Sequence, residues 1–193
     1  MAPMVPMVLT VLRMVLAPVF FGFYALATAG SPAFVIGVWL VFVVIEVSDI
    51  LDGYLARRLR QETEAGKVLD PLADSVSRLT YFLCLTGTGI MPPWVLLVLI
   101  YRDVCVAYIR VMVSRSSVLL PARLSGKLKA WVYAFAGGVG IAVFSLRRLG
   151  WLPSLQNTAA AISLGLCVLA ALIAVWSLGD YGFFFLRNFR RTS

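Results

Sequence analysis

Apolar stretches long enough to cross a hydrocarbon layer of about 30 Å recur from one end of the chain to the other. They predict six helices, over Thr10 to Ala29, Ala33 to Leu55, Leu69 to Thr88, Pro92 to Ser114, Leu124 to Leu146 and Thr158 to Phe185. The polar breaks between them are turn or helix-start signals: G-S-P at Gly30 to Pro32, M-P-P at Met91 to Pro93 and L-P-S at Leu152 to Ser154. The expected architecture is all-α: a polytopic integral membrane protein whose residues 1–193 form a single bundle of six transmembrane helices. No repeat or low-complexity tract interrupts it, and no stretch is left over for a soluble domain.

Composition agrees with that pattern, since 61% of the 193 residues are hydrophobic. The formal net charge of +8 is distributed unevenly. Arg57, Arg58, Arg60 and Lys67 fill the second connection, Arg115, Arg123, Lys127 and Lys129 the fourth, and Arg187, Arg190 and Arg191 the end of the chain. The first and third connections carry no charge, and only Arg147 and Arg148 in the fifth run against the trend. Lys and Arg near helix ends favour the cytoplasmic face, so six spans put both termini in the cytoplasm. The basic excess then reads as topology and attraction to anionic membrane lipid, and no nucleic-acid partner is expected.

Several chemistries are excluded or disfavoured by what the chain lacks. There is no histidine, so a general base must be a carboxylate, Lys, Tyr or Cys. Cys84, Cys105 and Cys167 each fall inside an expected span without metal-ligand spacing and read as small apolar packing residues. The apolar N-terminal run is interrupted by Arg13 and lacks a basic start, so it is expected to be the first helix rather than a removed signal peptide. Trp39, Trp94, Trp131, Trp151 and Trp176 are spread among the spans, as interfacial belts and packing require.

Carboxylates concentrate at one place. Asp49, Asp52, Gly53 and Ala56 recur at i, i+3, i+4 and i+7, one face of a helix, and Asp70 and Asp74 share a face of the next one. The twelve residues Arg57 to Val68 are expected to reverse the chain, so that the two acidic faces meet as an antiparallel pair at the membrane boundary. Four carboxylates so close repel one another unless cations compensate them. One source is a solvated ion-pair network with Arg57, Arg58, Lys67 and Arg78. The other is divalent metal: an all-oxygen Asp set suits Mg²⁺, Mn²⁺ or Ca²⁺, and the absence of His and of clustered Cys disfavours zinc. Gly53 and Ala56 leave room on the acidic face for a ligand to approach the backbone.

Written as a pattern, Asp49-x2-Asp52-Gly53-x2-Ala56-Arg57-x8-Gly66-x3-Asp70-x3-Asp74 resembles the full signature of the CDP-alcohol phosphotransferase family at every fixed position. The resemblance extends to the six-span layout, and the opening Pro6 to Pro18 is similar to the start of its bacterial phosphatidylglycerophosphate synthases, with Met7 in place of Asn. It implies transfer of a substituted phosphate from a CDP-linked donor to an alcohol, with release of CMP. By the same resemblance, Asp49, Asp52, Asp70 and Asp74 would hold two divalent cations, Mg²⁺ or Mn²⁺, and Asp74 would also take the acceptor's proton. Thr10, Gly53, Ala56, Arg57 and Gly66 would bind the CDP moiety. A homodimer is likewise implied by the family alone.

Acceptor identity rests on residues outside the signature. Arg102, Asp103 and Arg110, followed by Lys127 and Lys129, are similar to the R-E, L-R and G-K-x-K-T elements of phosphatidylglycerophosphate synthases, with Asp103 for Glu and Ala130 for Thr. The resemblance gives Arg110, Lys127 and Lys129 the phosphate of glycerol 3-phosphate, with CDP-diacylglycerol as donor at a bacterial cytoplasmic membrane. Inositol phosphate, or a CDP-choline-type donor, would keep the family and change the substrate. A divalent-cation transporter is the alternative of another class, since intramembrane carboxylates also mark ion paths, but it has no use for Arg57 or the gap at Gly53 and Ala56. Glu46, one turn from Asp49, is expected to pair with Arg102.

Overall fold

The computed structural model of the chain describes residues 5–59, 64–114 and 124–189, and among them the side chains of 8–51, 69–113, 126 and 128–187. The described residues form six helices: α1 Val5–Ala29, α2 Phe34–Leu59, α3 Glu64–Gly87, α4 Pro93–Ser114, α5 Leu124–Leu149 and α6 Pro153–Phe189. All six expected helices are present, but several outrun their apolar pattern. Hydrophobic residues mark only what lies in hydrocarbon, whereas a helix continues into the polar interface until a breaker or cap ends it. The correction matters most between α2 and α3, which take up most of the twelve residues expected to form a loop and leave only 60–63 between them. Pro153 opens α6 at a first-turn position, where its missing N–H costs nothing.

Four helices are long and apolar enough to cross a membrane, over Val8–Ala29, Phe34–Leu51, Leu128–Leu149 and Pro153–Arg187. At 24 and 22 residues, about 36 and 33 Å, α3 and α4 have the length but not the composition. Asp70, Asp74 and Arg78 lie along one, and Arg102, Asp103 and Arg110 along the other. The fold thus has the expected number of helices, while length and hydropathy mark four of them as spans.

Helix α1 packs on α2 and α3, α3 on α4 and α5, and both α4 and α5 on α6. The interior is held by edge-on aromatic rings. Fully buried Tyr81 sits 5.9 Å from Phe20, 5.5 Å from Phe42 and 5.2 Å from Phe82, the T-shaped geometry that aromatic quadrupoles favour. Close approach of α5 to α3 depends on Gly137, where a Cβ would lie 2.8 Å from the Tyr81 ring. Val15, Ile36, Leu40 and Leu172 point outward and are more than half exposed, as a lipid-facing surface requires. Gly89 and Gly150 turn the chain after α3 and α5 with φ of 70° and 67°, a region that side chains disfavour.

Candidate active site

The acidic faces of α2 and α3 meet on one guanidinium. Arg78 of α3 donates from Nε to Asp74 Oδ1 at 2.7 Å, one turn back on its own helix, and from Nη2 to Asp49 Oδ2 on α2 at 3.1 Å. Its Nη1 donates to the Ala130 carbonyl of α5 at 3.0 Å, so a residue 3% exposed ties three helices together. The planar fork of an arginine suits this work, because its donors diverge in a fixed plane toward separate acceptors.

The first helix completes the arrangement. Arg13, 1% exposed, donates from Nη1 to Asp49 Oδ1. Thr10, one turn earlier and fully buried, donates its hydroxyl to Asp70 Oδ1. Helical spacing places Thr10 and Arg13 on one face, and that face meets an aspartate from each acidic helix. Thr10 therefore orients a carboxylate of the cluster.

Of the expected cation ligands, Asp49, Asp70 and Asp74 are gathered around α1 and Arg78, and the side chains of Asp49 and Asp74 keep 31% and 25% exposure. Asp52, Gly53, Ala56 and Arg57 belong to the last turns of α2, and Gly66 to the first turn of α3; their side chains lie outside the described residues, as does that of Lys127. Among the described residues no three acidic or thiol side chains are drawn together tightly enough to enclose an ion. The donor set nevertheless fits hard divalent cations. It is all carboxylate, and each oxygen of Asp49 engages one arginine while a carboxylate oxygen has two lone pairs. The two compensations weighed from the sequence are compatible, since arginines grip these carboxylates from the protein side and leave part of their surface open.

A second polar cluster lies among α3, α4, α5 and α6. Asp103, 6% exposed, accepts at Oδ1 from Arg102 Nη1 at 2.9 Å and Lys129 Nζ at 2.7 Å, and at Oδ2 from Ser75 Oγ at 2.8 Å. Arg102 Nη2 donates to Ser177 Oγ at 2.7 Å. Arg110 Nη2 donates to Tyr181 Oη at 3.2 Å, and its guanidinium lies 5.6 Å from the centre of that ring. Lys129 is 4% exposed and lies over the Tyr133 ring at 4.8 Å, a cation–π contact. The expected pairing of Glu46 with Arg102 is not formed. Glu46 Oε1 accepts from Tyr81 Oη at 2.8 Å, while Arg102 has Asp103 beside it in sequence and α6 beside it in space.

Sequence reasoning passed over Arg13, Ser75, Tyr81 and Ser177. A signal existed for Arg13, because a lone cation in an apolar run calls for a buried partner. None existed for the serines, whose hydroxyls matter only for what faces them across a helix interface.

The profile of the CDP-alcohol phosphatidyltransferase family matches residues 3–176. An Escherichia coli protein named CDP-diacylglycerol--glycerol-3-phosphate 3-phosphatidyltransferase is 31% identical over 184 residues, 92% of each chain. A Mycobacterium tuberculosis protein named probable phosphatidylglycerophosphate synthase is 37% identical over 135 residues, 68% of this chain and 63% of its own. A Treponema pallidum protein with the same name as the Escherichia coli one is 35% identical over 107 residues, 55% of this chain and 47% of its own. This chain thus spans about half to two thirds of the length of the latter two relatives. With Asp49 of α2 and Asp74 of α3 brought together on Arg78, and a profile match over most of its length, the chain belongs to the CDP-alcohol phosphatidyltransferase family.

Proposed function

We propose that this protein transfers the phosphatidyl group of CDP-diacylglycerol to glycerol 3-phosphate at a bacterial cytoplasmic membrane, releasing CMP. The observation that carries the reading is the convergence of Asp49 and Asp74, from different helices, on the single guanidinium of Arg78. An ion path has no need of that rigidity, whereas a phosphoryl-transfer site works almost entirely by positioning charge. The names of the Escherichia coli and Treponema pallidum relatives support the choice of donor and acceptor.

In this reading Asp49, Asp52, Asp70 and Asp74 hold two Mg²⁺ or Mn²⁺ ions, which when bound would offset negative charge on the diphosphate and on the phosphoryl oxygens in the transition state. Gly53, Ala56, Arg57 and Gly66 surround the CDP moiety, the small residues supplying space and Arg57 a phosphate contact, while Thr10, expected from the sequence to touch the nucleotide, instead serves it through its hydrogen bond to Asp70. Asp74 takes the proton of the acceptor hydroxyl as its oxygen bonds to the β-phosphorus, and the bond from that phosphorus to CMP breaks. Arg78 steadies Asp74 through Nε on Oδ1 and leaves Oδ2 for that proton. Arg110, Lys127 and Lys129 take the acceptor's phosphate. Cations crowd this part of the bundle: Arg102 and Lys129 share the carboxylate of Asp103, and Arg110 lies against Tyr181, which suits a phosphate monoester better than a neutral alcohol. All six helices cross the membrane, α3 and α4 by turning their charges inward, with the termini and the acidic cluster facing the cytoplasm.

The test is CMP release by protein reconstituted in lipid with CDP-diacylglycerol and Mg²⁺ or Mn²⁺, offering glycerol 3-phosphate, inositol phosphate, inositol or serine separately. Release that requires glycerol 3-phosphate and disappears in Asp74→Asn is expected. Release with another acceptor would overturn the substrate assignment, and release with none would overturn the transferase reading.

A further inference from the structure

The acceptor cluster contains an arrangement that electrostatics alone opposes. Arg102 and Lys129 are 5% and 4% exposed, yet both donate to the same oxygen, Asp103 Oδ1, at 2.9 and 2.7 Å. Two buried cations so close repel strongly, and the carboxylate between them is what offsets that repulsion. The other oxygen of Asp103 accepts from Ser75, the residue following Asp74. Asp103 therefore joins α4 and α5 to the turn of α3 that carries the proton acceptor, while Ser177 tethers Arg102 to α6.

From this geometry we infer that Asp103 is a positioning residue for the acceptor. It fixes Lys129 at the depth where the phosphate is received and sets the distance from that phosphate to Asp74. An ammonium has three donors, and Lys129 commits one to Asp103, leaving others for an incoming phosphate oxygen. The assignment rests on the reading of Arg110, Lys127 and Lys129 as the acceptor's phosphate site. Removing the carboxylate leaves Arg102 and Lys129 to repel, so Lys129 either turns away or gives up its proton, and the phosphate loses a cation in both cases.

The experiment measures KM separately for glycerol 3-phosphate and CDP-diacylglycerol in the reconstituted wild type, Asp103→Asn, Asp103→Glu and Ser75→Ala. Thermal stability in detergent is followed with and without glycerol 3-phosphate. Asp103→Asn is expected to raise KM for glycerol 3-phosphate about tenfold or more with KM for CDP-diacylglycerol within twofold, and to abolish stabilisation by glycerol 3-phosphate. Asp103→Glu should recover part of both, and Ser75→Ala, which keeps every charge, should shift the same KM by about threefold. If Asp103→Asn does not fold, Ser75→Ala carries the test by its own KM split. An unchanged acceptor KM in either folded variant, equal shifts for the two substrates, or a lower acceptor KM in Asp103→Asn would overturn the inference while leaving the transferase intact. A wild type inactive with glycerol 3-phosphate and not stabilised by it would overturn the proposed function and the inference with it.

Discussion

Replacing Arg78 by Met keeps a long apolar stem in a buried place and removes the fork that joins α2, α3 and α5. Bonds of 2.7 and 3.1 Å to one guanidinium hold the bonded oxygens of Asp74 and Asp49 no more than about 8 Å apart. At that separation and an effective dielectric of about 20, two carboxylates repel by at least about 2 kcal/mol once the cation is gone. Asp49 retains Arg13, and the partly exposed Asp74 can turn to water, so the loss of stability should be about 2–4 kcal/mol rather than the full cost of a stranded buried ion. The rate should fall as well, because relaxing the two carboxylates by about 1 Å costs on the order of 100-fold when catalysis rests on positioning. Arg78→Lys keeps the charge but reaches one acceptor at a time and should fall between wild type and Arg78→Met. The assay is CMP release in lipid beside the thermal midpoint in detergent. Arg78→Met with wild-type midpoint and activity within threefold would refute the claim that this residue holds the site together.

Other consequences follow from the packing. Gly137→Ala puts a methyl 2.8 Å from the Tyr81 ring and should lower the thermal midpoint by the equivalent of about 1–3 kcal/mol, whereas Gly138→Ala, 3.6 Å from Phe42, should be neutral or raise it through helix propensity; equal shifts would show that α3 and α5 are not packed this closely. Tyr81→Phe removes the hydroxyl that serves Glu46 and should cost about 1–2 kcal/mol, while adding Glu46→Leu should recover part of it; a double variant less stable than Tyr81→Phe would argue that Glu46 has a more important partner.

Helix number was legible in the sequence because the hydrocarbon requirement acts on each segment by itself, and an apolar run of sufficient length declares a helix without reference to its neighbours. The acidic signature was legible for a related reason. Helical spacing alone puts Asp49 with Asp52, and Asp70 with Asp74, on single faces. Helix ends were less legible, since the polar turns that lengthen α2 and α3 toward each other carry no apolar period. The two charged helices, α3 and α4, were read as spans from their apolar residues, while their charges make sense only once their partners are known.

Those partners are what the tertiary structure alone decided. Arg78 serves Asp49 from a position 29 residues away in sequence, and Thr10 serves Asp70 from 60 away. Arg102 takes the neighbouring Asp103 instead of Glu46, which turns to Tyr81. In a low-dielectric interior a charge without a partner is costly, but which partner it finds depends on how helices are rotated and how deeply they interleave. Residues such as Gly137 and Tyr81 set that rotation through contacts between helices, which no pattern along one helix encodes. The sequence by itself therefore determined the class of structure and the grouping of its aspartates on helix faces, and three-dimensional packing decided which arginines hold Asp49 and Asp74 and which carboxylate holds the cations beside them.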